Sequence, residues 1–216
     1  MATKLQLYNT ALRYCKETAL ASLTESREPR RLLDEVYDAG GIDDCLEDAM
    51  WKFATRSVKI DYDTSFTSNY GFTYVFTKPS DWILTVAMCS DEFYDAPLTR
   101  YHHENDEWYA DLDILYVRYV SNATTYGYDL SLWPTSFFRY VAAAFAWEIV
   151  DKLTGDQETI DNVEKRLDKN KSKAKNRDAW NQPQAFPATG LWVNSRQSGR
   201  GTNSWRDRGN RNSLLG

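Results

Sequence analysis

The apolar residues of this chain change their spacing twice, and the changes divide it into helical, strand and again helical stretches. Leu5, Tyr8, Leu12, Cys15 and Ala19 recur at helical spacing behind Thr3-x-x-Gln6, which fits a capping box, and they predict a first helix near 3–22. Glu28-Pro29 suits a second helix start, and the stripe Leu32, Val36, Ala39, Leu46, Met50 and Phe53 carries it to about Ser57. Gly40-Gly41 lies inside that run and costs about 1 kcal/mol per glycine relative to alanine, so a bend or break is expected there.

From Val58 the period falls to two, because Val58, Ile60 and Tyr62 alternate with Lys59, Asp61 and Asp63. Residues 70–77 are aromatic and β-branched, Lys78-Pro79-Ser80-Asp81 supplies a turn, and the apolar run from Trp82 to Cys89 suits a strand or a short helix. Two further strands are expected at 107–111 and 114–120, which makes the middle third a small antiparallel sheet. Helical spacing returns behind Pro134 through Phe137, Phe138, Val141, Ala144, Phe145 and Ile149 to Leu153. Asp156 can cap a further helix with the narrow stripe Ile160, Val163, Leu167 and Ala174. Beyond Trp180, Pro183, Pro187 and the polar bias forbid regular structure.

The expected fold class is α+β: an antiparallel bundle of about four helices with a small antiparallel β-sheet insert and an extended C-terminal arm. The corresponding segments are a helical pair at 1–57, the insert at 58–121, a second helical pair at 130–180 and the arm at 181–216. Leu12, Leu46, Trp51, Phe53, Phe137 and Phe145 are the expected bundle core. With 216 residues, 42% of them hydrophobic, the chain can build one core of ordinary size.

Charge is distributed as unevenly as the apolar spacing. From Lys165 onward twelve Lys or Arg face three Asp, a net +9, so with the whole chain at −5 residues 1–164 carry −14. The basic end is rich in Asn, Gln, Ser and Gly and cannot bury enough apolar surface to fold alone, so it is expected to order against something else. Trp192, Arg196, Arg200, Trp205, Arg206, Arg208 and Arg211 can dock in an acidic protein groove, with Leu214 and Leu215 as an apolar hook. The same residues can track phosphates while the indoles stack on bases, which makes a nucleic-acid-binding module the alternative, and a solubilising end is the third reading.

Signals for catalysis are weak. His102-His103 with Glu104, Asp106 and Glu107 invites a metal, but adjacent residues point apart and no second ligand cluster has a recognised spacing, so a solvated turn is expected. Asp43-Asp44 and Asp61/Asp63 are chance pairs among 31 acidic residues, best read as solvated faces. No G-x-S-x-G, P-loop or strand-linked G-x-G-x-x-G appears, and no cofactor is expected. Cys15, Cys45 and Cys89 are scattered and suggest neither a disulfide framework nor zinc. The opening MATKLQLYNT lacks a signal-peptide core and no window nears 18 consecutive apolar residues, so a protein made in the cytoplasm, without a membrane span, is expected.

Several stretches in this order resemble one family. They are Leu7-Tyr8-Asn9-x-Ala11-Leu12, Ala21-Ser22-Leu23-Thr24-Glu25, Leu46-Glu47-x-Ala49-x-Trp51-x-Phe53-Ala54-x-Arg56 and Lys78-Pro79-x-Asp81-Trp82. Leu115 to Val120 and Trp133-Pro134-x-x-Phe137 with its Ala-rich helix complete the set. Together they resemble the phage head-to-tail connectors, or adaptor proteins, of the tail tubular protein A type. The resemblance implies a non-enzymatic virion protein that assembles as a twelve-membered ring beneath the portal, carries the tail nozzle or tail tube below, and lines a channel for double-stranded DNA without reading its sequence. An acidic body suits such a wall, because weak repulsion lets a polyanion slide. Ring closure needs unlike, complementary faces on each subunit, for which the Ala-rich helix, the aromatics of the sheet insert and the opposite charges of body and arm are candidates.

Overall fold

The computed structural model describes residues 3–65 and 71–181. Helix α1 (Lys4–Tyr14) starts at a true capping box: Gln6 N donates to Thr3 Oγ1 and Thr3 N donates to Gln6 Oε1, each at 3.2 Å. It stops eight residues short of the expected end. Lys16 takes a left-handed conformation (φ 61°), Glu17 N donates to Leu12 O (2.9 Å) and Lys16 N to Arg13 O (3.4 Å), a Schellman arrangement built without glycine. The loop that follows is held by Asn9, whose amide both donates to Leu20 O and accepts from Leu20 N.

The long second helix divides as α2 (Glu28–Asp38) and α3 (Gly41–Glu47), because Gly40 adopts φ +92° between them. A 3₁₀ turn, Lys52–Ala54, leads into the strands, and Met50, expected in the buried stripe, is 53% exposed. Six strands follow: β1 (Thr55–Asp61), β2 (Tyr74–Thr77), β3 (Trp82–Cys89), β4 (His102–Glu104), β5 (Glu107–Ala110) and β6 (Ile114–Ser121). They form two antiparallel three-stranded sheets, β1-β6-β3 and β2-β5-β4, where the sequence suggested one.

Strand β6 explains the second sheet. Leu115, Val117 and Tyr119 project into a cluster with Phe76, Trp108 and Ala110 of the second sheet, while Val120 joins the core under the helices. Both faces of the first sheet are therefore covered, and the directly paired Val58/Val117 and Ile60/Leu115 supply cross-strand contacts on the side of the second sheet.

Helix α4 (Thr135–Leu153) buries Phe137, Tyr140, Val141, Ala142, Ala143, Phe145, Ala146, Ile149 and Val150, a set that reaches around most of its circumference. It packs on α1, α2, α3 and α5 (Gln157–Trp180), the last by a close antiparallel hairpin. Of the Ala-rich run, Ala142 and Ala143 are fully covered by the chain itself, while Ala144 is half-buried. Asp156 stands at the N-cap of α5 as expected, but its carboxylate accepts from the Thr159 hydroxyl (2.5 Å) instead of from backbone N–H.

Of the expected core residues, Leu12, Leu46, Trp51, Phe137 and Phe145 are buried and Phe53 is half-buried. Trp51 packs edge-on against Phe137 (centroids 4.8 Å), donates Nε1–H to Cys45 O (2.9 Å), and so ties the 3₁₀ turn to α3 and α4. Gly127, in the turn after β6, admits no Cβ, which would meet Ser121 O at 2.4 Å and Leu46 Cδ1 at 2.7 Å. Trp51→Ala is expected to cost about 3–5 kcal/mol in urea unfolding, and Phe53→Ala clearly less, because only the indole is fully enclosed. Equal losses would contradict this ranking.

Candidate functional site

Three stretches that carry the family resemblance meet at one carboxylate. Asp81, in the turn before β3, accepts from Arg56 Nη1 of β1 (2.9 Å), from Tyr119 Oη (2.9 Å) and from Ser121 Oγ (2.5 Å), the last two on β6. Its backbone carbonyl accepts from Asn122 N. Burial pushes the carboxyl upward, but the Ser121, Arg56 and Tyr119 donors overcome this and hold it below the ordinary carboxylate range. Every partner is a donor already engaged, so the cluster locks the order of strands in the first sheet and leaves no free base.

The other titratable candidates are tied into the fold in similar ways. His102 and His103 form part of the exposed strand β4, not a turn, and their rings diverge: His102 lies by Glu104 (4.0 Å) and His103 by Lys78 (2.6 Å). Lys78 is buried beneath the β4–β5 turn, donates to Asn105 O and to His103 Nε2, and sits 4.4 Å from the Trp82 ring centroid. Burial holds the Lys78 ammonium below the usual lysine range, and burial followed by the Lys78 charge does the same to His103. Among the described residues no three His, Cys, Asp or Glu side chains gather as a metal site. Cys15 and Cys45 are buried thiols pushed up to about 11 and about 12, far from a reactive thiolate. Asp43 and Asp178 are raised by burial, and each is already held, Asp43 by the Asn122 amide and Asp178 by the backbone N–H of Lys52. Asp44 and Asp61 face solvent, and Asp63 caps the turn at Ser65.

Two grooves flank α5, and they differ in charge. The smaller, ≈ 210 Å³, lies toward α3 and holds Asp44, Asp48, Glu148 and Asp168 with Lys171. There Asp48 is neutralised by Lys171 (2.6 Å) and Lys175 (3.9 Å) and receives the Tyr140 hydroxyl; burial raises its carboxyl, and these partners bring it below its ordinary range.

The larger groove, ≈ 550 Å³, lies between α1, α4 and α5 and contains no carboxylate. Arg13 comes from the last turn of α1, Arg139 from α4, and Lys165, Arg166, Lys169 and Lys173 from α5, with Tyr14, Asn162 and Asn170 between them. The four α5 cations fall within an arc of about 100° at 3.6 residues per turn, which places them on one face, opposite Lys171 and Lys175. All six are exposed, and none has a carboxylate within 4.0 Å among the described residues. Arg166 stacks 4.4 Å from the Tyr14 ring and Asn170 donates to Arg139 O, so the groove walls are braced. Six cations with no acidic partner among the described residues, set around an aromatic ring, can bind anions: phosphates, carboxylates or an acidic segment of protein.

The expected docking residues Trp192, Arg196, Arg200, Trp205, Arg206, Arg208, Arg211, Leu214 and Leu215 lie outside the described residues. Seven of the twelve cations counted toward the basic end stand instead on α5, inside the folded unit, so residues 1–181 carry −9 and not −14 over a shorter body. The spacing 165, 166, 169, 173 was the signal for the groove, but nothing in the sequence joins it to Arg13 and Arg139. No helix among the described residues is long and apolar enough to cross a membrane. Compared with known protein families and with curated proteins, the chain matches none.

Because Asp81 is ionised in the fold below its usual range, the stability it contributes is present above the ordinary carboxylate pKa and lost as pH falls through the folded value. Asp81→Ala is expected to cost ~2–3 kcal/mol at neutral pH, and its difference from wild type to shrink as pH drops below about 4. Denaturant midpoints across that range check both the size and the direction.

Proposed function

We propose that the chain is a structural subunit of a phage head-to-tail connector, a closed ring between the portal and the tail nozzle or tube, with DNA passing through its lumen. The observation that carries this reading is a cation-lined groove on a unit of net charge −9, which gives one subunit two unlike and complementary surfaces. Heterologous contacts of that kind are what a ring requires. The stretches that resemble the connectors supply Asp81, Arg56 and Tyr119 of the Asp81 cluster and the Trp51–Phe137 pair, so the resemblance falls on interior contacts and not on scattered surface positions.

In this reading the five helices act as an antiparallel bundle with α4 at its centre, and the two sheets stand as an insert available to the portal or the tail. Twelve copies are expected by likeness to the family. The basic segment from 181, with Trp192 and Trp205, reaches a neighbouring subunit or the portal, and this rests on its sequence. No covalent chemistry is required of any residue.

A second reading is favoured by the same groove: a nucleic-acid-binding module that places phosphates against the α5 cations. Electron microscopy of the isolated protein, and of its complex with a portal ring, separates the two. Closed rings are expected. Particles that remain monomeric with the portal present, together with duplex affinity that falls steeply with salt, would replace the first reading with the second.

A further inference from the structure

The cationic groove is concave, so its natural occupant is a convex acidic element. The smaller groove beside α3 does not qualify, since it is itself concave and its Asp48 is already paired. The loop between β3 and β4 does. Residues 91–95 read Asp-Glu-Phe-Tyr-Asp, and Phe93 is 74% exposed at the tip. The loop is preorganised from below. Asp91 accepts from the backbone N–H groups of Asp95 (3.0 Å) and Ala96 (2.8 Å), Ser90 N donates to Ala96 O (3.1 Å), and Arg118 stacks 3.7 Å from the centre of the Tyr94 ring. With Asp91 and Tyr94 committed to the base, Glu92, Phe93 and Asp95 are left facing solvent.

Within one chain the two elements do not meet: neither Glu92 nor Asp95 has a cationic partner among the described residues, and neither do the six groove cations have an acidic one. We propose that the 91–95 loop of one copy seats in the cationic groove of the next, Glu92 and Asp95 facing its lysines and arginines and Phe93 entering beside Tyr14. The contact rests on the reading of the chain as a ring subunit, and supplies the heterologous joint that reading needs. An exposed aromatic flanked by carboxylates provides an apolar anchor with a charged rim, the usual anatomy of a small docking site. A rigid loop also gives up little conformational entropy on docking. A DNA duplex fits the groove less well. Asp161, Glu164 and Asp168 flank the cationic face of the same helix at 3.6 residues per turn, so a broad polyanion laid along α5 would face like charge as well, whereas the loop brings a few carboxylates to six cations.

The test is a charge exchange in the full chain. One variant reverses the groove (Lys165→Glu, Arg166→Glu, Lys169→Glu and Lys173→Glu, which takes its six cations from +6 to −2) and the other reverses the loop (Glu92→Lys with Asp95→Lys); all six side chains are exposed, and circular dichroism confirms that each variant folds. The readout is native mass and negative-stain imaging of the closed particle that the wild type forms, alone or on a portal ring. Each variant alone is expected to lose that particle, and an equimolar mixture of the two to regain it with the variants alternating, because each then meets a partner of opposite sign. Rings that survive both reversals, or that fail to return on mixing, overturn this contact while leaving the connector reading in place. A wild type that forms no closed particle even with the portal overturns both. Loss of duplex-DNA binding in the groove variant, with the loop variant assembling and binding DNA like wild type, assigns the groove to nucleic acid and overturns the contact.

Discussion

Helix α4 buries nine of its nineteen residues, spread around most of its circumference, and the rest of the molecule is arranged to cover them. A helix whose buried residues include Phe137, Tyr140, Val141, Ala142, Phe145, Ile149 and Val150 must be enclosed by several neighbours at once. Helices α1, α2, α3 and α5 each take one sector, and Trp51 and Trp133 close the end nearest the strands through their contacts with Phe137. The small side chains at Ala142, Ala143 and Ala146 let the neighbours approach closely, which makes the helix a packing centre and leaves the outer helices to determine what the surface looks like.

The surface that results is sorted by charge at the level of a single helix. Helix α5 buries Thr159, Val163 and Ala174 and packs Ile160 and Leu167 half-buried against the core, so the rest of its circumference is free to carry ions. Lysines on one side neutralise Asp48, and those on the other side join Arg13 and Arg139 without any acid between them. Like charges held that close repel one another, a cost that a folded unit of −9 partly offsets by its long-range field.

Most of the element order was legible from periodicity. The capping box at Thr3, the break at Gly40-Gly41, the alternation from Val58 and the return of helical spacing at Pro134 all leave local marks in sequence. What was not legible depends on partners distant in the chain. The end of α1 is fixed by a left-handed lysine, which carries no propensity signal. Strand β4 has three exposed residues and exists because β5 lies beside it, so its histidines read as a turn. The doubling of the sheet follows from which face of β6 meets Phe76 and Trp108, a tertiary fact. The groove was hidden for a related reason: charge counting along the chain merged the α5 cations with the segment beyond 181 and set Arg13 and Arg139 aside. Asp81 reaches partners up to 40 positions away in the chain, and Arg56, Asp81 and Tyr119 stood out in the sequence only as parts of separate stretches.

Strand β6 gives its odd-numbered side chains from Leu115 to Tyr119 to one apolar cluster and Val120 to the other, with Ser121 and Tyr119 both fastened to Asp81. The helices and the outer sheet thus have a common wall and not merely adjoining ones. Opening one cluster strips packing from a backbone the other relies on, which couples their stabilities. A change at either end of that wall is therefore felt at the other, because both apolar clusters draw side chains from the backbone of one strand.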